Sequence, residues 1–316
     1  MLPPLLRWGL ALLGLGLAFI GALLVLAQLP GGVGLIVAGL LGGGLAALGG
    51  DLIGRAGAGT TMAERLRAVR RSLRPWTVLL ALFVLLKVPV PLWPDGFPLL
   101  ATLSTVCLSG AALLYSWERV GAARAASMAL LAFLAGLGVE LLGSRTGWPF
   151  GLYSYAGAPG LTLLGVPLLV PLGWFGMTLA ASLLAGGRTW LCGALLVAWD
   201  LGLEPLMTQQ GFWRWQDPAG LWAGAPLANF TGWFVVGVAL SFCFQMIAPP
   251  LYRPGPAGGR PLALAYLLEA AFLPAGLLLL GQPVAALVCL VAMGGMASLA
   301  WWVRPREQAW TSSRRV

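Results

Sequence analysis

Residues 189–207 read Thr189-Trp-Leu-Cys-Gly-Ala-Leu-Leu-Val-Ala-Trp-Asp200-Leu-Gly-Leu-Glu204-Pro-Leu-Met207. A helix needs roughly 20 mainly apolar residues to cross a bilayer, and this run has about that length. Yet it carries two acids four positions apart, on one helical face. A charged side chain at the bilayer centre costs roughly 2.5–3.5 kcal/mol on insertion scales, so an acid inside a span is a functional candidate by default. Nine further apolar runs flank this one: Leu5–Ala27, Val33–Leu52, Trp76–Leu92, Leu99–Trp117, Ala125–Leu142, Leu161–Leu184, Phe230–Ile247, Leu262–Leu280 and Val284–Val303. The chain therefore reads as all-α, a polytopic membrane helix bundle of about ten spans. The third run is the weakest, since it holds Lys87 and ends in a Pro-rich turn. The second is Gly-rich and suits close helix packing.

Composition agrees. The chain has 316 residues, 59% hydrophobic and 9% charged, against roughly 25% charged in a soluble domain. A soluble enzyme with one buried core is excluded. Histidine is absent, which excludes His-based triads, His-metal sites and His proton shuttles. No metal-ligand spacing and no nucleotide-binding glycine motif is present, so neither metal nor cofactor is expected. Cys107, Cys192, Cys243 and Cys289 all sit in apolar stretches and read as small buried hydrophobes.

The net charge of +9 does not point to nucleic acid, because the arginines lie between apolar runs, where topology signals belong. With the N-terminus cytoplasmic, one side holds Arg7, Arg55, Arg65, Arg67, Arg70, Arg71, Arg74, Arg119, Arg124, Arg188, Arg253, Arg260, Arg304, Arg306, Arg314 and Arg315. The other side holds only Arg145 and Arg214, and Lys87 lies within a span. Both termini are thus expected in the cytoplasm, and the localisation as the bacterial cytoplasmic (inner) membrane. Thr61–Arg74, opened by the capping box Thr61-Met-Ala-Glu64, reads as a basic helix lying in the membrane interface on anionic lipid. The expected organisation is a two-span extension with that helix (1–75), a catalytic membrane bundle (76–303) and a basic cytoplasmic tail (304–316).

Two stretches within the bundle resemble each other. Glu140 precedes Gly147 by the same interval as Glu204 precedes Gly211, and Pro167 precedes Trp174 as Pro226 precedes Trp233. Each unit, about 125–184 and 189–247, is a span, an aromatic loop and a span. A parallel internal repeat follows, with a pseudo-two-fold along the membrane normal and a cavity between the units.

Four acids fall inside spans: Glu140, Asp200, Glu204 and Glu269. Glu140 and Glu204 have an alternative reading as structural partners of Arg145 and Arg214. For Asp200 the structural reading is weaker, since its counterpart in the first unit is Gly136. Glu269 is isolated and stays open between structural and functional roles. Around these acids lie Trp148, Phe150, Tyr153, Tyr155, Trp174, Trp213, Trp215, Asn229 and Trp233. Aromatic residues form interfacial belts in many membrane proteins, but these cluster in two loops and keep company with acids. A carboxylic acid that stays protonated in a dry, aromatic-lined pocket suits making a carbocation from an alkene, with the ring faces stabilising the cation.

At these residues the sequence resembles the CruF-type carotenoid 1,2-hydratase family, related to the bisanhydrobacterioruberin hydratases. The resemblance rests on Glu140-Leu-Leu-Gly, Gly147-Trp-Pro-Phe-Gly-Leu-Tyr-Ser-Tyr155, Gly165-Val-Pro167, Asp200-Leu-Gly-Leu-Glu204-Pro205, Gly211-Phe-Trp-Arg-Trp215 and Pro226-Leu-Ala-Asn229-Phe-Thr-Gly-Trp233, and covers roughly residues 125–245. It implies addition of water across the terminal C1–C2 double bond of an acyclic ψ end group, as in lycopene or γ-carotene, giving a tertiary alcohol without a redox cofactor. The partners expected are a carotenoid, water, membrane lipid and other carotenoid-pathway enzymes. The expected catalytic residues are Asp200, Glu204 and Glu140, with the choice of proton donor among them open. The nine aromatic and amide residues named above form the substrate-binding set. A membrane carotenoid cyclase would use the same protonation with internal capture of the cation, and a lipid or isoprenoid transporter is the non-enzymatic alternative.

Overall fold

The computed structural model describes residues 4–54, 74–216, 220–253 and 261–303. They form ten α-helices: α1 (Pro4–Leu26), α2 (Gly32–Gly54), α3 (Pro75–Leu85), α4 (Phe97–Val120), α5 (Ala122–Thr146), α6 (Leu169–Leu184), α7 (Thr189–Gln209), α8 (Leu227–Ile247), α9 (Leu264–Leu279) and α10 (Pro283–Trp302). Each corresponds to one of the ten apolar runs. Six of them, α4, α5 and α7 to α10, are long and apolar enough to cross a membrane among the described residues. This is the architecture of a helical membrane protein. Nearly all of positions 61–74 and the tail 304–316, the expected interfacial helix and cytoplasmic tail, lie outside the described residues.

Two runs end differently from their sequence reading. The third becomes only α3 and then two short 3-10 turns, Val90–Leu92 and Pro94–Gly96. Pro89, Pro91 and Pro94 each lack the N–H that a continuing helix would need. The sixth run begins its helix at Leu169 rather than Leu161. Before it lies a hairpin, in which β2 (Thr162–Leu163) pairs with β3 (Val166–Pro167). Leu164 and Gly165 turn it with φ of 54° and 89°, the left-handed pair that a two-residue hairpin requires. A matching tight turn at Ala223-Gly224, φ 50° and 87°, joins Trp222 to Ala225 just before α8. The two aromatic loops meet where β1 (Tyr153–Ser154) pairs antiparallel with β4 (Arg214–Trp215), placing Tyr153 opposite Trp215 and Ser154 opposite Arg214.

Helix α6 is buried along almost its whole length and packs against α4, α5 and α7 to α10. It is apolar on every side because it has no face to water or lipid. By contrast, α8 and α10 expose Phe242, Met246, Val284, Leu287 and Val291, as expected of helices that face lipid tails. Helices α1 and α2 pack through glycine: a Cβ at Gly14 would stand 2.5 Å from Gly43 Cα, and one at Gly39 would stand 2.4 Å from Gly14 O. The Gly-rich second run is therefore a packing surface, as its composition implied.

Helix α7 carries Pro205 in its interior. Proline has no N–H for the carbonyl four residues back, which is Leu201 O. The Trp222 indole donates to that carbonyl instead, at 2.8 Å. On α9, five residues before Pro274, Glu269 accepts from Lys87 Nζ at 2.6 Å. Lys87 also lies 4.5 Å from the centre of the Phe83 ring. The lysine that weakened the third run is thus paired within the bundle.

Candidate active site

Three acids converge beneath the paired loops. Glu140 comes from the last third of α5, while Asp200 and Glu204 come from successive turns of α7. Asn229 comes from the first turn of α8. All four are withdrawn from the surface, with Asp200 0%, Glu204 1%, Asn229 2% and Glu140 4% exposed.

Each glutamate is held by three donors. Glu140 Oε2 accepts from the Tyr153 hydroxyl at 2.6 Å and the Tyr155 hydroxyl at 2.7 Å, and its Oε1 from the Trp174 indole at 3.1 Å. Glu204 Oε2 accepts from the Trp213 indole at 3.0 Å and the Trp215 indole at 2.7 Å. The Asn229 amide donates to Glu204 Oε1 at 3.0 Å and to Asp200 Oδ2 at 2.7 Å. Asp200 Oδ1 is buried and has no partner among the described residues. The acids thus bond to phenols, indoles and an amide, and neither glutamate forms an ion pair with Arg145 or Arg214 among the described residues. Burial, and then the neighbouring Glu140, push the Tyr153 and Tyr155 phenols well above the usual range, so both remain protonated donors.

The donors' rings form a box. Tyr153 lies 5.0 Å from Trp215 and 5.3 Å from Tyr155, and Tyr155 lies 6.3 Å from Trp213. On the other flank, Trp174 stacks on Trp233 at 4.1 Å with 19° between planes. Such stacking requires Trp174 to lie close over α5, and Gly136 permits it: a Cβ there would stand 2.6 Å from Trp174 Cδ1. Where α7 carries Asp200, then, α5 carries a seat for an indole.

Of the substrate-binding candidates, Tyr153, Tyr155, Trp174, Trp213, Trp215, Asn229 and Trp233 are brought together around the acids. Phe150 is one layer out, edge-on to Tyr153 at 6.4 Å and tight against Gly232. Trp148 is 66% exposed and stands away from the cluster. Trp199 falls outside the set that the sequence points to. It lies edge-on to Trp233 at 5.8 Å, and its indole nitrogen is buried without a partner among the described residues. Its position in mid-span, away from where an interfacial belt would lie, was the available signal. Glu269 is not part of the cluster. Among the described residues no group of three or more His, Cys, Asp or Glu is arranged to hold a metal ion.

Residues 96–296, more than half of the chain, match the family described as carotenoid biosynthesis protein. The chain is similar to a bisanhydrobacterioruberin hydratase from Haloarcula japonica, 37% identical over 137 residues, which is 39% of this chain and 45% of that protein. The matched region thus spans under half the length of that relative. No solved structure matches.

Proposed function

Because the chain belongs to the carotenoid biosynthesis protein family, we propose that it is a carotenoid 1,2-hydratase, adding water across the terminal C1–C2 double bond of an acyclic ψ end group such as that of lycopene or γ-carotene. The relative's printed name, a hydratase, supports the reaction class. The observation that carries the reading is Asp200, an acid with no exposure and one oxygen free of any partner among the described residues, bound through its other oxygen to Asn229, which also holds Glu204 under the aromatic box.

Donor counting assigns the roles. An ionised carboxylate only accepts, whereas a carboxylic acid also has an O–H to give. Glu140 and Glu204, with three donors each, are saturated in the way that suits carboxylates. Asp200 has one donor on Oδ2, and a buried Oδ1 left bare as an anion would be costly. Asp200 therefore carries the proton. It passes that proton to C2; the alkene's electron pair forms the C2–H bond and leaves a tertiary cation at C1. The faces of Tyr153, Tyr155, Trp213 and Trp215 and the charges of Glu140 and Glu204 stabilise this cation. A water oxygen closes the C1–O bond, Glu204 takes the proton released, and its return to Asp200 completes the cycle with one water consumed.

We also place the two halves as an internal repeat. Supporting this, Ser144 and Thr208 each sit one turn after an acid and donate to its carbonyl, at 2.8 and 2.6 Å. Gly147 and Gly211 follow α5 and α7 with φ of 81° and 74°. The matched tight turns and the antiparallel pair centred on Ser154 and Arg214 fit a local two-fold. The arginine distribution supports cytoplasmic termini in an inner membrane, with the site toward the opposite side.

Expression in a lycopene-producing cell, with pigments resolved by chromatography and mass spectrometry, tests the reading. Products heavier by one or two waters are expected. Asp200→Asn should lower them by roughly 10²–10⁴-fold while the protein still accumulates in the membrane. Isomers of unchanged mass from the unaltered protein would identify a cyclase instead. Unconverted lycopene and γ-carotene, with polyene flux across the membrane, would identify a transporter.

A further inference from the structure

Two cavities flank the acids, and they differ in chemistry. One, of about 450 Å³, lies between the end of α5, β1 and the β2–β3 hairpin; Ser144, Ser154, Tyr155, Ala158 and Thr162 line it. The other, of about 380 Å³, lies between α7, the Ala223-Gly224 turn and the start of α10; Pro205, Trp222, Ala223, Gln282 and Val284 line it. The corner residues Leu164 and Ala223 occupy matching places in the two tight turns. Four hydroxyl side chains line the first cavity, whereas the second has none: proline, indole, valine and alanine line it, with the single amide of Gln282, which is bonded to Pro205 O.

The first cavity ends one side chain away from the acids. Tyr155 forms its inner wall, and its hydroxyl is 2.7 Å from Glu140 Oε2. Ser144, on the adjoining wall, is one turn beyond Glu140 and bonds to its carbonyl at 2.8 Å. A hydratase joins two substrates of opposite polarity. The polyene arrives from lipid, and water must reach C1 without flooding the pocket in which the cation forms. A single door cannot suit both.

We propose that the polar cavity bounded by Ser144, Ala158, Thr162 and Tyr155 is the inlet through which the reacting water enters, with Tyr155 as its inner door. This rests on the hydratase reading. When water is withheld, the C1 cation still forms. It then loses a proton from a neighbouring carbon to a carboxylate, or is captured by the chain's own next double bond before losing one. Either route gives an isomer of unchanged mass.

The test fills the cavity in the full-length protein and compares alcohol with isomers in lycopene-producing cells. Ala158→Trp and Thr162→Trp are expected to lower the ratio of alcohol to isomers at least tenfold, and Ala158→Leu by less. Val284→Trp, in the apolar cavity, is expected to lower total conversion with the ratio unchanged. The proposal is overturned if Ala158→Trp and Thr162→Trp leave the ratio as it is, including by lowering alcohol and isomers equally, or if Val284→Trp alone shifts it. The graded Ala158→Leu variant decides the matter should both Trp variants fail to accumulate. Absence of alcohol from the unaltered protein is a different result, and it refutes the hydratase reading itself.

Discussion

Gly136 lies four residues before Glu140 on α5 and Asp200 four before Glu204 on α7, and the difference between them shapes the site. Lacking a Cβ, Gly136 lets Trp174 lie flat enough to stack on Trp233 and to reach Glu140 Oε1. Asp200 instead supplies an acid, and Asn229 ties it to Glu204. In the proposed mechanism the α7 side therefore supplies both acid and base, while the α5 side contributes Glu140 with its two phenols. Gly136→Ala should push Trp174 from this place. Overpacking of this kind costs about 1–3 kcal/mol. A lower melting temperature in detergent and an altered tryptophan fluorescence spectrum are expected; an unchanged spectrum would show that Trp174 is not held there by the glycine.

At the scale of elements, proline inside a helix is accommodated by a side chain from elsewhere. Pro205 frees Leu201 O, and the indole of Trp222 takes the bond. Trp222→Phe should strand that carbonyl, at about 1–3 kcal/mol for a buried unpaired group. Pro205→Ala restores a local N–H, so the cost of Trp222→Phe should shrink in that background. A double-mutant cycle by thermal melting measures this, and equal costs in both backgrounds would refute it. The Lys87–Glu269 pair obeys similar logic between the segment after α3 and helix α9. Removing one partner of a buried pair is more damaging than removing both. Lys87→Met and Glu269→Gln should each lower membrane accumulation more than the double variant does; a double variant worse than either single one would contradict it.

For the whole molecule, a buried central helix, α6, is ringed by helices whose outer faces are apolar. The paired loops close one end over the acids. In the proposed topology, which rests on the arginine distribution, that end lies opposite the termini. A cysteine at the exposed Ala156, in a chain with its four native cysteines replaced, should react with an impermeant maleimide added outside intact cells. A cysteine at the C-terminus should react only after the cells are opened, and the reverse pattern would invert the proposed topology.

Much of this was written in linear order. Ten helices follow from ten apolar runs, because burial in lipid demands an unbroken stretch that satisfies its own backbone. The acids Glu140, Asp200 and Glu204 stand out in linear order because a carboxyl group in such a stretch is costly, but so does Glu269, which pairs with Lys87 instead. What the chain order did not contain is who bonds to whom. Arg145 and Arg214 lie near the glutamates in sequence, yet tyrosines and tryptophans from the loops hold them. Hydrogen bonds depend on direction and on elements meeting in space, and the β1–β4 pairing that delivers those donors joins residues about sixty positions apart. The helix ends at Leu85 and Leu169 were also hidden, since apolar composition marks what lipid tolerates rather than where proline and a tight turn break the backbone. Trp148 and Trp199 show the same limit. Both are tryptophans near acids in the chain, but packing leaves one exposed and turns the other against Trp233.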